Sequence, residues 1–113
     1  MSFPHPGDPV RGSASGRPIM ALLDLLGRRW SLRVLWELQQ APASFRDLQA
    51  RCAGVSPSVL NTRLGELREA RLLENGEHGY QLSPLGLELV QRCLPLAQWA
   101  EDWATQLPPR PEK

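Results

Sequence analysis

Hydrophobic residues recur at helical spacing in several separate segments of the chain, and each segment is bounded by residues typical of helix ends. In the first segment Pro18 suits an opening turn, leucines follow at steps of three and four, and Gly27 ends the pattern. The second segment begins at Ser31, a predicted N-cap, and is closed by Pro42. We predict that this second helix buries Leu32, Leu35, Trp36 and Leu38.

Two further helices are predicted close together in the middle of the chain. Ser44 caps the short segment "SFRDLQARC", which turns Phe45 and Leu48 inward. After the turn "AGV", Ser56 caps a second helix, and Pro57 takes its first position, where the missing N–H costs nothing. This helix places Leu60, Leu64 and Leu67 on one face, which we expect to be buried.

The pattern changes after Arg71 to two short apolar segments around a polar turn. Leu72 to Glu74 and Tyr80 to Leu82 are predicted to form a β-hairpin, with Asn75-Gly76 as its turn signal. Ser83-Pro84 then opens the longest helix, predicted to be kinked at Pro95. Its apolar repeat consists of Leu85, Leu89, Leu96, Trp99 and Trp103.

The length of 113 residues predicts a single folded domain. Residues 1–17 are dense in Pro, Gly and Ser and are predicted to form a disordered N-terminal tail. The folded domain is predicted over residues 18–106, and residues 107–113 are predicted to form an extended C-terminal tail.

Charge is distributed unevenly, although the net charge is only +1. Residues 28–71 contain eight arginines against four acidic residues, a net charge of +4, whereas residues 72–113 carry a net charge of −3. A basic middle segment favours an anionic partner such as a nucleic acid. The charge distribution is supporting evidence only, and the case for that partner depends on the motifs below.

Other classes of protein find no support in the sequence. Cys52 and Cys93 lie 41 positions apart without a CxxC spacing or clustered histidines, so we predict no metal and no cofactor. Apolar runs fall well short of the roughly 18 residues of a membrane span. No nucleophile elbow, phosphate loop or Ser/His/Asp arrangement is present, so an enzyme is not expected. A cytoplasmic protein, nucleoid-associated when DNA-bound, is the simplest expectation.

The helix that begins at Pro57 has an unusual face opposite its leucines. A helix turns about 100° per residue, so Ser58, Thr62, Gly65 and Glu69 lie opposite Leu60, with Asn61 beside them. Short polar side chains permit close approach to another surface. A short helix, a tight turn and a second helix form a helix-turn-helix unit, and the hairpin supplies a wing. The predicted fold is therefore mainly α with a small β-hairpin, a winged helix-turn-helix domain, and its partner is double-stranded DNA.

Candidate DNA contacts follow from this arrangement. Ser58, Asn61 and Thr62 are predicted to reach base edges in the major groove. Arg63 is predicted either to hold a phosphate or to pair with an acid such as Glu66. The further candidates for phosphate contact are Ser44 and Arg46 at the start of the short helix, Arg29 before the second helix, and His78 in the wing.

Four segments in order resemble the HxlR-type winged-helix transcriptional regulators of bacteria and archaea. They are "LLGRRWSLRVLWEL" at 25–38, "SFRDLQ" at 44–49, "GVSPSVLNTRLGEL" at 54–67 and "YQLSPLG" at 80–86, followed by tryptophans. The resemblance runs from about residue 18 to residue 103. It implies a homodimer, formed by the first and last helices of each subunit, that binds an inverted repeat near a promoter.

On that resemblance, the N- and C-terminal helices are dimerisation helices. The predicted interface residues are Ile19, Leu22, Leu23, Leu96, Trp99 and Trp103. From the residues alone, Trp99 and Trp103 could instead complete the core. Arg17 stands where many members have a cysteine, so their thiol sensor does not transfer, and the hairpin offers Glu74 and Glu77 rather than basic residues.

The leading hypothesis is thus a sequence-specific DNA-binding regulator, repressor or activator, acting as a homodimer. The alternative is a winged-helix module that binds protein without specific DNA binding, which the low total charge and the acidic wing favour. Whether an unknown small-molecule effector binds between the subunits is left open by the sequence.

Overall fold

The computed structural model describes residues 3–10 and 16–110. The fold is mainly helical with one two-stranded antiparallel hairpin, as predicted. The elements in order are α1 (Pro18–Leu26), α2 (Ser31–Leu38), α3 (Phe45–Arg51), α4 (Pro57–Glu69), β1 (Leu73–Gly76), β2 (Gly79–Leu82) and α5 (Pro84–Gln106). None of the helices within these ranges is long and apolar enough to cross a membrane.

Three serines cap helices as the sequence predicts. The hydroxyl oxygens of Ser44, Ser56 and Ser83 accept hydrogen bonds from backbone N–H groups three residues later, at the starts of α3, α4 and α5. Proline occupies the first turn of α1, α4 and α5. Because both signals are local, the sequence alone locates these helix starts. Helix α5 continues through Pro95 to Gln106.

The core gathers apolar side chains from α2, α4, the hairpin and α5. Val34 and Leu35 of α2, Leu60 of α4 and Val90 of α5 are almost completely buried. Leu64 and Leu67 extend the buried stripe of α4, which confirms the predicted inward face of that helix. This packing leaves the opposite face of α4 without cover from its own chain.

Helix α2 corrects one prediction. Ser31 is the first helical residue and not the N-cap; the cap position belongs to Trp30, whose backbone is left-handed with φ of 78°. The buried stripe of α2 follows Ser31, Val34, Leu35 and Leu38, which share one face of the helix. Leu32 lies about 100° away from Ser31 around the helix and is 42% exposed rather than buried as predicted.

The hairpin differs from the prediction in its turn. Asn75 and Gly76 belong to β1, and the two-residue loop is Glu77-His78, because Gly76 pairs with Gly79. Outside the hairpin, backbone hydrogen bonds of 2.8 and 3.0 Å join Tyr80 of β2 to Ala43. Gly79 has a positive φ of 114° and lies close against the backbone of Ala43. A Cβ atom at this position would be 2.5 Å from the Ala43 carbonyl oxygen.

One residue of the predicted N-terminal tail packs against the folded domain. Phe3 is only 9% exposed and belongs to the hydrophobic core cluster. One large aromatic side chain therefore contributes apolar burial that the Pro- and Gly-rich composition did not suggest. Residues 1–2 and 11–15 of the predicted N-terminal tail and residues 111–113 of the predicted C-terminal tail lie outside the described ranges.

Candidate nucleic-acid interface

Helix α4 presents to solvent the short polar side chains that the sequence analysis assigned to base contacts. Ser58, Asn61 and Thr62 are exposed, and the stripe of Leu60, Leu64 and Leu67 on the other side is buried. Gly65 lies on the same face and adds no side chain to it. The space around Gly65 is open, since a Cβ atom there would meet nothing within 4 Å. The surface is open to a flat or grooved partner along several turns.

The three polar side chains differ in how they are held. The Thr62 hydroxyl donates a 3.0 Å hydrogen bond to the Ser58 carbonyl, which fixes its rotamer. The Ser58 hydroxyl lies 3.5 Å from that of Ser56, the capping residue. Within the described residues the Asn61 side chain makes no hydrogen bond. Its carboxamide can therefore offer both donor and acceptor to a partner.

Arg63 turns toward the protein rather than toward solvent. Its Nε donates to the Arg29 carbonyl oxygen at 2.8 Å, and its Nη1 lies 2.8 Å from Glu66 Oε1. Only 19% of its side chain is exposed. Of the two roles that the sequence left open for this arginine, pairing with Glu66 is the one present in the structure.

Glu66 is the centre of this charged cluster. Its side chain is 8% exposed, and its other carboxylate oxygen, Oε2, accepts a 2.6 Å hydrogen bond from Arg28 Nη1. Arg28 Nη2 also lies 3.3 Å from Asp24 in α1. A buried carboxylate is costly without such partners, and here two guanidinium groups supply them.

The start of α3 carries the two phosphate candidates that precede α4. The Ser44 hydroxyl accepts from the Asp47 backbone N–H at 3.1 Å, so its lone pair serves the cap. Arg46 is exposed and makes no hydrogen bond or ion pair within the described part of the chain. Of these two residues, Arg46 holds an uncommitted positive charge at the surface.

Arg29 and His78 lie at the edges of the candidate surface. The exposed Arg29 guanidinium carbon lies 5.5 Å from the Trp30 ring centroid, within the range of a cation–π contact. His78 occupies the tip of the hairpin, 78% exposed, with its Nε2 3.6 Å from Glu77. The acidic neighbour reduces the attraction of this tip for phosphate.

A second surface is apolar and involves α1 and α5. Ile19 and Leu23 of α1 are each 53% exposed, and Leu22 is half-buried. On α5, Leu96, Trp99 and Trp103 are between 50% and 63% exposed. These exposed apolar side chains are the ones that the sequence analysis assigned to a dimer interface.

The two tryptophans of α5 stack on each other. Their ring centroids lie 6.0 Å apart and the ring planes differ by 8°. Because about half or more of each side chain is exposed, neither tryptophan completes the core of its own chain. Of the two roles that the residues alone allowed, the core role is therefore wrong.

The cysteines are both free, Cys52 buried and Cys93 half-buried. Burial raises the pKa of the Cys52 thiol above its usual value, while Arg33 acts in the opposite direction. No group of three or more His, Cys, Asp or Glu side chains in the described ranges could hold a metal ion.

Sequence reasoning missed the importance of Glu66 and Arg28. The sequence alone offers Glu66 as one possible partner of Arg63, and Arg28 either as a contact to the flanking DNA backbone or as an exposed arginine of the turn. The leucine periodicity gave no signal for this burial, because at about 100° per residue Glu66 lies about 120° around α4 from Leu60, on the side of Arg63. Glu66 is buried because Arg28 and Arg63 meet it there.

A short helix, a tight turn, a capped second helix and an antiparallel hairpin in this order define a winged helix-turn-helix protein. Within that class, a family model described as HxlR-like helix-turn-helix matches residues 25–108. The chain belongs to this family.

Curated relatives carry matching names. The HTH-type transcriptional regulator Mb3122 of Mycobacterium bovis is 31% identical over 104 residues, which is 86% of this chain and 63% of the relative. The chain therefore spans less than two thirds of the length of that relative. The HTH-type transcriptional regulator YtfH of Escherichia coli is 28% identical over 91 residues, 74% of this chain and 72% of the relative.

Solved structures share the fold. The quinone-bound YodB from B. subtilis is similar with a TM-score of 0.66 and 25% identity, covering 79% of this chain and 97% of that one. A transcriptional regulator of the MarR family from Enterococcus faecalis is similar with a TM-score of 0.72 and 25% identity, covering 78% and 86% of the two chains.

Proposed function

We propose that this protein regulates transcription as a homodimer that binds an inverted-repeat operator in double-stranded DNA. The observation that carries the proposal is the exposed face of Ser58, Asn61 and Thr62 on α4, opposite a buried leucine stripe. In a helix-turn-helix protein this second helix enters the major groove, and its N-terminal residues read base edges. The names of the relatives as transcriptional regulators support the same function.

Each candidate side chain has a distinct proposed role. Asn61, with its uncommitted carboxamide, is the best donor–acceptor pair for an adenine. Ser58 and Thr62 contribute shorter contacts to neighbouring bases. Arg46 supplies a phosphate contact, and Ser44 can add its O–H, because the helix cap uses only the acceptor of that hydroxyl.

The remaining candidates act at the margins of the interface. Arg29 is proposed to meet the flanking DNA backbone, and His78 is proposed as a weak phosphate contact of the wing. Arg63 is proposed to stabilise the position of α4 rather than to contact DNA, since its guanidinium binds the Arg29 carbonyl and Glu66. With Glu77 beside His78, the wing is proposed to contribute little to binding.

The proposed dimer uses the exposed apolar side chains of α1 and α5, with a second copy of the chain as the occupant. Trp99 and Trp103 present stacked, half-exposed rings of the type enriched in subunit interfaces. Ile19 and Leu23 extend the apolar surface onto α1. Two-fold symmetry would then place two copies of α4 on successive major grooves about one helical turn, roughly 34 Å, apart.

A second candidate function is a winged-helix module that binds protein. It is favoured by the acidic hairpin, where Glu74 and Glu77 are exposed and the Glu74 carboxylate is bound by Gln81 rather than by a cation. Such a wing repels a phosphate backbone and suits a basic protein surface.

Selection of bound fragments from a random DNA pool, with sequencing after several rounds at moderate salt, separates the two candidates. Light scattering on the same preparation gives the oligomeric state. A two-fold-symmetric site with half-sites about one helical turn apart is the expected result. A folded, dimeric protein that enriches no sequence would overturn the operator proposal and favour the protein-binding module.

A further inference from the structure

Helix α4 and the turn between α1 and α2 are joined by side chains that reach in both directions. Arg63 of α4 donates to the backbone carbonyl of Arg29 in the turn at 2.8 Å. In return, Arg28 of the turn donates to Glu66 of α4 at 2.6 Å. Arg63 also binds Glu66 on the same helix, so one carboxylate ties both arginines together.

The backbone conformation of the turn between α1 and α2 is itself restricted. It ends at Trp30 in a left-handed conformation, which a non-glycine residue adopts only when its surroundings hold it there. Arg28 further reaches back to Asp24 in α1. A continuous polar path therefore runs from α1, the proposed dimer helix, through Arg28 and Glu66 to α4, the proposed reading helix.

Directional hydrogen bonds restrict how α4 can roll or slide, because charge-assisted bonds need both the right distance and the right angle. Apolar contacts of the leucine stripe are non-directional and set no such angle. In a dimer the displacement of α4 from α1 sets where the two reading helices meet the DNA. One base pair of added spacing moves a half-site by about 3.4 Å and rotates it by about 35°.

We propose that Glu66 is a positioning residue that sets the half-site spacing the dimer accepts. It does so by fixing α4 to the turn that follows the dimer helix, without touching DNA. This inference rests on the proposed function, because it presupposes a dimer on an inverted repeat.

The test compares Glu66→Gln with Glu69→Gln. Both variants remove one negative charge from α4, but Glu69 is exposed and Glu66 is bound by two arginines. The probes are symmetric duplexes obtained by selection with the unaltered protein, together with versions lengthened or shortened by one base pair between half-sites. The measured quantity is the ratio of affinities for the original and the altered spacing.

We expect Glu66→Gln to lower this ratio by about fivefold, within the usual range for mutations that act on coupling between sites, and Glu69→Gln to leave it unchanged. A merely structural loss in Glu66→Gln would reduce the active fraction equally on every duplex and would not change the ratio. An unchanged ratio in folded, dimeric Glu66→Gln overturns the proposal.

Arg28→Lys provides a second variant should Glu66→Gln fail to fold. It keeps the charge but removes the planar fork that bridges Asp24 and Glu66. The ratio should again fall, and a ratio equal to that of the unaltered protein would count against the proposal. If the unaltered protein selects no symmetric site, the proposed function itself fails, which is a distinguishable result.

Discussion

Arg63 Nε donates a 2.8 Å hydrogen bond to the carbonyl oxygen of Arg29, a residue 34 positions earlier in the chain. An arginine on the second helix of a helix-turn-helix unit is ordinarily a candidate for the phosphate backbone. Here its guanidinium is committed to the fold, by this bond and by Glu66. The basic segment therefore offers less charge to DNA than its count of arginines suggests.

Replacing Arg63 by alanine should destabilise the protein. Loss of the bond to Arg29 and of one partner for the buried Glu66 is expected to lower the free energy of unfolding by about 1–3 kcal/mol. Arg46→Ala, which removes an exposed arginine, should change it by less than about 0.5 kcal/mol. Urea denaturation followed by tryptophan fluorescence measures both, and equal stabilities would contradict the structural role of Arg63.

Arg46 and Asn61 should affect operator binding in different ways. Arg46→Ala is expected to weaken binding to all sequences alike and to reduce the slope of log affinity against log salt by about 1. Asn61→Ala should cost about 1–3 kcal/mol of discrimination at one base pair and leave the salt slope unchanged. Fluorescence anisotropy on operator variants at several salt concentrations checks both, with Gln91→Ala of α5 as an exposed amide control. Uniform weakening by Asn61→Ala would remove it from the base-reading set.

A charge placed on the stacked tryptophans should separate the proposed dimer. Trp99→Lys is expected to raise the dimer dissociation constant by about 30-fold or more, as for a residue at the centre of an interface. Leu32→Lys makes the same change of charge at an exposed apolar residue of α2 and should leave the dimer intact. Analytical ultracentrifugation over a range of concentrations distinguishes them. Dimers of equal strength would exclude Trp99 from the interface.

Two glycines should respond in opposite directions to the same substitution. Gly65→Ala should stabilise the protein by about 0.5–1 kcal/mol, because the exposed helical site has open space for a methyl group. Gly79→Ala should destabilise it by about 1–3 kcal/mol, because the residue has positive φ and its Cβ would meet the Ala43 carbonyl. Thermal and urea unfolding measure both. A stable Gly79→Ala variant would show that the bridge between Ala43 and Tyr80 is dispensable.

The buried thiol of Cys52 should make stability depend on pH in the alkaline range. Burial raises its pKa in the folded protein, so its contribution is fully present below the ordinary thiol pKa of about 8.5. As the pH rises from there through the raised folded pKa, ionisation in the unfolded chain removes that contribution. The difference in unfolding free energy between the unaltered protein and Cys52→Ala should therefore shrink between neutral and alkaline pH. A difference independent of pH would contradict the expected effect of burial.

Local signals were enough to predict most elements of the fold. The caps at Ser44, Ser56 and Ser83 each bind a backbone N–H only three residues later, so the starts of these helices can be predicted from the sequence. Relations within one helix are equally local, and for this reason the exposed polar face of α4 and its buried leucines were predicted correctly. The same holds for the solvent exposure of Arg46, a polar residue at the start of a short helix.

Predictions that required a distant partner were the ones that changed. The hairpin turn, predicted between Glu74 and Tyr80 with Asn75-Gly76 as its signal, is confined to Glu77-His78, because Asn75 and Gly76 pair with Tyr80 and Gly79 across the hairpin. Leu32 of α2 lies outward because the other elements pack against the face of Ser31, Val34, Leu35 and Leu38.

The order of the helices, the starts of α1, α3, α4 and α5, the inward face of α4 and the family could all be predicted from the sequence, because each depends on neighbours along the chain or on short motifs. Only the tertiary structure decided that Arg63 faces Arg29 and Glu66, and that Trp99 and Trp103 lie uncovered on one chain. Those outcomes depend on which surfaces meet after the helices have formed. A buried carboxylate needs cationic partners, and these can come from any part of the chain that lies nearby in the fold. The periodicity of one helix does not show which arginines those will be.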